Sequence, residues 1–297
     1  MILVVGGTGE LGSRVVTVLR AQGRGVRCLV RPGTDESALA RQGADVVRGD
    51  LTEPSSLPQA CKGISTVVAT ATVIARRLAG ARRPSIHQVD QLGMAALIDA
   101  AEEAGVERFV YLSYAGVEAG LGTPLERAKL ATEQRLQRSS MRTVIIRPDA
   151  FQEIHLASIG RFNMANGKVA IVGKGDTKKR WVSTDNAAAL VAAVALEPNP
   201  PALVEFGGPE AITRNEAVEI AERLTGRSFK RQRMPLFAAK LAMRVLARPN
   251  DALASVLGTG VVIDVVAATW DDGPLQQRGI TSKSASDFLA EQAKAIP

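Results

Sequence analysis

The most constraining feature of this chain is a β-branched run at residues 2–5 that leads directly into a glycine loop, Gly6-Gly7-Thr8-Gly9-Glu10-Leu11-Gly12. Leu11, Val15 and Leu19 follow at helical spacing, so the loop is expected to open a helix. A strand, a GxxGxxG turn and a helix N-terminus direct main-chain N–H groups at a pyrophosphate. The spacing predicts dinucleotide binding, with contacts from the loop residues Gly6, Thr8, Gly9, Glu10, Leu11 and Gly12.

Short apolar runs recur along the first half of the chain with room for a helix between them. They cover residues 2–5, 26–30, 45–47, 66–69, 109–112 and 143–146. Runs that are apolar on both faces are typical of a parallel sheet covered by helices on each side. The pattern predicts an α/β fold with a doubly wound, parallel-sheet Rossmann domain. We also expect a helix that runs through Leu92, Ala96 and Ala100 and ends at Gly105.

Glycines become frequent after Pro148, and the strands become short. We therefore expect a dinucleotide-binding domain over residues 1–150, completed by 181–206, and a smaller, mostly helical C-terminal substrate lobe over 151–297. Thr213 and Glu216 have the spacing of a capping box, and Gly226 is placed to end the helix that they begin.

The composition restricts the class of protein. The chain is 46% apolar but has no uncharged apolar run long enough to span a bilayer, so no membrane partner is expected. The first strand begins at residue 2 and leaves no room for a leader peptide, which favours a cytoplasmic location. Cys28 and Cys61 lack metal or redox spacing, so we expect both to be buried and expect no metal site.

The formal charge of +7 suits a polyanionic ligand. The basic residues fall in short clusters, and only 4% of the chain is aromatic, which leaves little to stack on bases. Nucleic acid is therefore disfavoured as a partner, and the phosphates of a dinucleotide are the preferred explanation of the charge.

The end of the second strand indicates which dinucleotide is bound. NAD-binding chains carry an acid about 20 residues beyond the loop, but here the position holds Arg31, whose charge would attract a 2′-phosphate. This favours NADP(H) over NAD(H); the alternative is that Arg31 is an ordinary surface residue. Asp50, followed by Leu51, is placed to meet the adenine, or is simply an exposed acid at a strand end. Thr70, after the fourth strand, either lines the cofactor pocket or is a small packing residue at a strand end.

Several longer segments resemble one family, the NmrA-like atypical short-chain dehydrogenases and reductases. They are MILVVGGTGELGSRVV, LVRPGT, RGDL, AAEEAGVERFVYLSYAG, IIRPDAFQE and FGGPEAITRNEAVEIAERLTG, so the resemblance covers nearly the whole chain. The family includes isoflavone-reductase-like enzymes, quinone reductases and NADP-sensing regulators without catalysis. The resemblance implies a cofactor domain with a helical C-terminal lobe closing over the nicotinamide end.

The resemblance also implies site residues, with one departure. Ordinary short-chain dehydrogenases carry a tyrosine four residues before a lysine that holds the nicotinamide ribose; here the lysine is Lys129, but the tyrosine position holds Leu125. Isoflavone-reductase-like relatives likewise keep the lysine without the tyrosine. The family's serine position matches either Ser113 or Tyr114. Tyr114 either replaces the missing acid or packs under the cofactor.

The segment after the sixth strand runs beside the nicotinamide in this family. It makes Pro148 a cofactor contact and Phe151, Gln152 and His155 substrate contacts, with Asp149 comparable. Two functions remain open at this point. One is an NADPH-dependent reductase of a small carbonyl, enone or quinone; the other is a non-catalytic NADP(H)-sensing regulator or assembly factor. The sequence does not indicate the oligomeric state.

Overall fold

The computed structural model describes residues Met1–Ile296. It contains ten strands, which are β1 (Ile2–Val5), β2 (Val26–Val30), β3 (Asp45–Arg48), β4 (Thr66–Ala69), β5 (Arg108–Leu112), β6 (Arg142–Pro148), β7 (Phe162–Asn163), β8 (Lys168–Val172), β9 (Leu203–Phe206) and β10 (Lys230–Met234). Its α-helices are α1 (Glu10–Ala21), α2 (Ser37–Arg41), α3 (Leu57–Cys61), α4 (Ile74–Leu78), α5 (Met94–Glu103), α6 (Pro124–Gln137), α7 (Gln152–His155), α8 (Thr184–Leu196), α9 (Arg214–Thr225), α10 (Leu236–Leu246), α11 (Asp251–Val265), α12 (Gly273–Gln276) and α13 (Ala285–Lys294).

Seven strands form one sheet in the order β3-β2-β1-β4-β5-β6-β9. The neighbours from β3 to β6 pair in parallel, and Ile2 of β1 is in register with Val26 on one side and Thr66 on the other. Since β1 lies between β2 and β4, the residues that follow these three strands emerge side by side at one edge. This is the α/β doubly wound fold that the sequence predicted, and it places the glycine loop at that edge.

The chain divides into two compact units. The first comprises Met1–Ser113, Pro124–Ile146 and Ala188–Val204; the second comprises Tyr114–Thr123, Arg147–Ala187 and the chain from Glu205 onward. In the first unit β1 and β4 are buried along their whole length, and Leu11, Val15 and Leu19 of α1 are buried with them. Cys28 and Cys61 are both fully buried, as expected.

The expected helix through Leu92, Ala96 and Ala100 is present, but its first part is irregular. The side chain of Leu92 is 53% exposed. The cause is a π-helical segment, His87–Gly93, that precedes α5. Its wider turn shifts the phase of the helix, so Leu92 no longer falls on the face that α5 buries.

The second unit has its own apolar core, centred on Trp181, Phe162 and Phe229. Beside this core β8 pairs in parallel with β10 and antiparallel with β7. The capping box predicted at the start of α9 is present: Thr213 accepts from the N–H of Glu216, and the Glu216 carboxylate accepts from the N–H of Thr213. Gly226 ends α9 in the left-handed conformation, with φ of 66°.

Among residues 1–296, none of the helices combines the length and the apolar character that crossing a bilayer requires.

Candidate functional site

The glycine loop is a tight turn that requires glycine at positions 6 and 12. Gly6 has φ of 100°, and a Cβ there would lie 2.8 Å from both the nitrogen of Ala71 and Oγ1 of Thr70. The N–H of Gly9 closes the turn by donating to the carbonyl of Gly6 at 2.9 Å. A Cβ on Gly12 would overlap the same Gly6 carbonyl, so the first turn of α1 rests directly on the loop.

The mouth of this loop fits a pyrophosphate. Gly9 is the N-cap of α1 and supplies no side-chain cap, so the first N–H groups of the helix are not claimed by one. Thr8, Gly9 and Glu10 are exposed, and a Cβ on Gly9 would meet only the Gly6 oxygen, at 3.2 Å. The helix N-terminus is therefore open to an anion that approaches the main chain closely.

Two arginines lie at the adjacent strand ends without an acidic partner. Arg31 follows β2 and Arg76 lies in α4, beyond β4. Burial and the charge of Arg76 lower the pKa of Arg31, while Asp50 opposes the shift. Within residues 1–296 neither guanidinium makes an ion pair or a hydrogen bond. Two interacting cations that make no ion pair favour the binding of an anion such as a phosphate monoester.

Arg76 was not predicted as a cofactor contact from the sequence. The available signal was topological: in a β2-β1-β4 arrangement, the residues after β2 and after β4 flank the loop after β1. Arg77 differs from Arg76, because its guanidinium donates to the carbonyl of Ala81 at 2.7 Å.

Three further residues that the sequence assigned to the cofactor make contacts within the protein. Thr70 donates from Oγ1 to the carbonyl of Val5 at 3.3 Å and lies beneath Gly6 and Gly12. Leu51 is buried, and its carbonyl oxygen would be 2.6 Å from a Cβ on Gly93. One carboxylate oxygen of Asp50, Oδ1, accepts from both the N–H and the hydroxyl of Thr52 at 2.8 Å, which fixes the turn after β3.

A second group of polar side chains lies at the carboxyl end of β5. The Nζ of Lys129 donates to the carbonyl of Leu112 at 2.7 Å and lies 4.7 Å from the centre of the Tyr111 ring. Ser113, the next residue, is buried, and its Oγ has no hydrogen-bond partner within the described chain. A buried hydroxyl without a partner is costly, so this position suits a ligand that supplies one.

Opposing effects act on the pKa of Lys129. Burial lowers the pKa of Lys129, while the charges of Asp90 and Glu133 oppose that shift. Asp90 lies in the π-helical segment and accepts from the N–H of Val73 at 3.1 Å. Neither acid belonged to a recognisable motif, so the sequence did not indicate them.

No tyrosine replaces the missing acid at the family's usual position. Leu125 occupies that position and is buried. Burial raises the pKa of Tyr111, which makes this phenol a poor acid. Tyr114 follows Ser113 in the chain, is half-buried and is grouped by its contacts with the second unit.

In the second unit, the segment after β6 is occupied mainly by internal contacts. Pro148 is the last residue of β6. Asp149 is buried within this unit. Its Oδ1 lies 2.9 Å from the Nζ of Lys179, and its Oδ2 accepts from the indole N–H of Trp270 at 3.0 Å. Its carboxylate is therefore committed to the fold of this unit.

The three predicted substrate contacts have different environments. Phe151 is half-buried and bridges to Val182 through its backbone. Gln152 is fully buried, and its amide nitrogen donates to the carbonyls of Trp181 and Lys283 at 3.0 and 2.9 Å. His155 lies 6.3 Å from the Trp181 ring, and burial lowers the pKa of His155 to about 3. The substrate role of all three stays a prediction.

Comparison with known proteins agrees with the geometry of the loop. A family model described as NAD(P)H-binding matches residues 6–198. The photosystem II assembly factor Ycf39 of Trieres chinensis is 30% identical over 248 residues, which is 82% of this chain and 75% of that protein. The NAD(P)H azoreductase of Xenophilus azovorans is 30% identical over 302 residues, covering 99% of this chain and 97% of that protein.

Solved structures share the fold over the whole length. The NADPH-dependent quinone oxidoreductase of Escherichia coli, in complex with NADPH, superposes with a TM-score of 0.76 and 23% identity, covering 99% of each chain. At this identity the likeness concerns the fold.

Proposed function

The chain belongs to the NAD(P)H-binding family, among its atypical short-chain dehydrogenases and reductases, and from that membership we propose that it is an NADPH-dependent reductase of a small carbonyl, enone or quinone. The observation that carries the reductase proposal is the pair of polar groups at the carboxyl end of β5. Lys129 uses one N–H on Leu112, and the buried Ser113 hydroxyl has no partner in the described chain.

The preference for NADPH is supported by the two arginines. The glycine loop serves any dinucleotide, since it offers main-chain N–H groups to the pyrophosphate that NADH and NADPH share. Only NADPH carries a 2′-phosphate. Arg31 and Arg76 interact electrostatically and make no ion pair within residues 1–296, so both would gain an ionic partner from that group alone.

The proposed chemistry assigns a task to each residue near β5. A bound nicotinamide supplies a hydride from C4. Lys129, with N–H groups beyond the one on Leu112, holds the ribose hydroxyls and so fixes the ring relative to the end of β5. Ser113 donates from Oγ to the substrate oxygen that gains negative charge as hydride arrives. Positioning then contributes more to the rate than a strong acid does.

The test is turnover of purified protein with NADPH and a panel of quinones, enones and azo dyes. Ser113→Ala is expected to lower kcat about a hundredfold and to leave NADPH affinity nearly unchanged. Lys129→Met, which keeps the buried stem, is expected to lower both kcat and NADPH affinity. Tyr114→Phe distinguishes a proton-donating phenol, whose loss slows turnover, from a ring that only packs. Lys62→Ala, an exposed lysine of the same unit, is the matched control.

A second function has its own support: a non-catalytic NADP(H)-binding regulator or assembly factor. Leu125 stands where a proton-donating tyrosine would, and one relative is a photosystem II assembly factor. A protein of this kind binds NADPH, turns over none of the acceptors, and changes its oligomeric state or its partner on binding. Absence of acceptor-dependent NADPH consumption by the wild type would contradict the reductase proposal. Equal consumption by wild type and Ser113→Ala would contradict the role proposed for Ser113.

A further inference from the structure

Helix α10 presents an apolar face to solvent. Phe237, Leu241 and Val245 recur every four residues, and their side chains are 76%, 61% and 66% exposed. The opposite side of the helix is packed, since Ala239 and Met243 are buried. Lys240 and Arg244 are exposed at i+3 and i+7 from Phe237, so they border the apolar stripe on the same side of the helix. These five exposed residues are called the α10 face.

Positive charge is concentrated in the chain segment that contains this face. Between Glu222 and Asp251 the chain has no acidic residue and eight basic ones, whereas the formal charge of the whole chain is only +7. The basic residues are Arg223, Arg227, Lys230, Arg231, Arg233, Lys240, Arg244 and Arg248. The rest of the chain is thus close to neutral. The net charge of the chain therefore resides in this one segment.

Several of these cations are not used by the fold. Arg231 pairs with Glu222 at 3.1 Å, and Arg227 donates to the carbonyl of Ala165 at 2.8 Å. The side chains of Lys240, Arg244 and Arg248, in contrast, make no ion pair or hydrogen bond within residues 1–296. All three are exposed.

We propose that the α10 face docks on the surface of an anionic lipid bilayer. A helix with Phe and Leu on one stripe and Lys and Arg beside it matches an interfacial helix, whose apolar face enters the boundary between headgroups and acyl chains while its cations meet lipid phosphates. Burying exposed Phe237, Leu241 and Val245 supplies the apolar gain, and the acid-free segment supplies the charge complementarity.

A bilayer fits better than a second copy of the chain. A two-fold interface would place the α10 face against itself and bring Lys240 and Arg244 close to their own copies, with no acid in the segment to separate the charges. Such a peripheral contact needs no spanning helix, so it is compatible with the helix lengths observed. It does revise the expectation, drawn from the sequence, that the chain has no membrane partner.

The test is co-sedimentation of the full chain with vesicles of phosphatidylcholine alone or mixed with phosphatidylglycerol. Binding is expected only to the anionic vesicles and is expected to weaken with added salt. Lys240→Gln with Arg244→Gln should weaken it about fivefold for each charge removed. Phe237→Ser with Leu241→Ser should weaken it at least about tenfold.

Matched controls separate the α10 face from general charge and exposed apolar area. Ile159→Ser changes a residue that is also 76% exposed, and Arg24→Gln with Lys62→Gln removes two exposed charges elsewhere. Both controls should bind vesicles like wild type. In addition, Phe237→Trp is expected to show blue-shifted emission on anionic vesicles, while Ile159→Trp is not.

Four outcomes would overturn the proposal. They are no binding to anionic vesicles, equal loss with the control variants, insensitivity to Phe237→Ser with Leu241→Ser, and concentration-dependent self-association that these substitutions abolish. The last result would identify a second copy as the occupant. NADPH turnover is measured separately, so failure here leaves the proposed reductase function untouched.

Discussion

Arg31 and Arg76 illustrate how much of cofactor choice depends on single side chains. Burial and the charge of Arg76 disfavour the charged form of Arg31, and Asp50 opposes this effect only in part. Neither arginine makes an ion pair within residues 1–296. Arg31→Ala and Arg76→Ala are therefore each expected to weaken NADPH binding by about tenfold or more, the loss of one charge-assisted contact, while NADH binding stays within about twofold. Calorimetric titration with both nucleotides measures this difference.

Arg41→Ala is the control for that experiment, because it removes an exposed charge from α2 in the same unit. If the substitutions at 31 and 76 weaken the binding of NADH and NADPH equally, the two arginines do not recognise the 2′-phosphate.

Arg31 could be predicted from the sequence because its distance from the glycine loop is fixed by one helix and one strand. Arg76 was not, because its position depends on the order of strands in the sheet.

His155 allows a prediction about pH. Burial and the nearby charges of Arg214 and Lys179 lower the pKa of His155 from 6.5 to about 3. Between these values the unfolded chain binds a proton that the folded chain does not, so the free energy of unfolding falls as the pH falls through this window. His155→Gln should flatten that dependence in denaturant titrations between pH 6.5 and 4.

The other histidine, His87, is exposed and hydrogen-bonded to Gln91 at 3.0 Å. His87→Gln is the matched control, because it makes the same substitution at an exposed position. A His155→Gln chain with the same slope as wild type would mean that His155 does not stay neutral in the folded state.

At the scale of elements, the contact between α1 and its loop gives the sharpest prediction. Gly12→Ala places a methyl group on the carbonyl of Gly6, so the helix must move away from the loop. We expect about 1–3 kcal/mol loss in the free energy of unfolding and at least about tenfold weaker NADPH binding. Gly25→Ala is the control, since its Cβ would meet only the flexible end of Met1. Unchanged NADPH affinity in Gly12→Ala would argue against the loop as the phosphate site.

Sequence patterns specified the elements unequally. The buried strands β1, β2 and β4 begin and end where their apolar runs do, because both faces of each strand need apolar side chains. The strand β10 has the sequence KRQRM and no apolar pattern; it is a strand because it pairs with β8. The π-helical segment that contains Leu92 has no sequence signature that periodicity detects.

At the scale of the whole molecule, the two units show how far local patterns reach. Boundaries between the units fall within β6, α8 and β9, since each of these elements contributes residues to both. Local periodicity identifies such elements but not the unit that each half joins, because that depends on packing between distant segments. The exposure of Phe237, Leu241 and Val245 has the same origin: the sequence shows an amphipathic helix, and only the fold shows which face is left uncovered.

The proposed NADPH contacts have a consequence for unfolding of the whole chain. The glycine loop, Arg31, Arg76, Ser113 and Lys129 all belong to the first unit, so bound NADPH stabilises that unit directly. At NADPH a hundredfold above its Kd, the free energy of unfolding should rise by about 2.7 kcal/mol. Scanning calorimetry should show this as a higher Tm, in the first unit's transition if the units melt separately. NADH at the same concentration should raise Tm less, and Arg31→Ala with Arg76→Ala should reduce the NADPH effect to the NADH level. If neither nucleotide changes Tm, the glycine loop does not bind the dinucleotide phosphates, and the cofactor proposal is wrong.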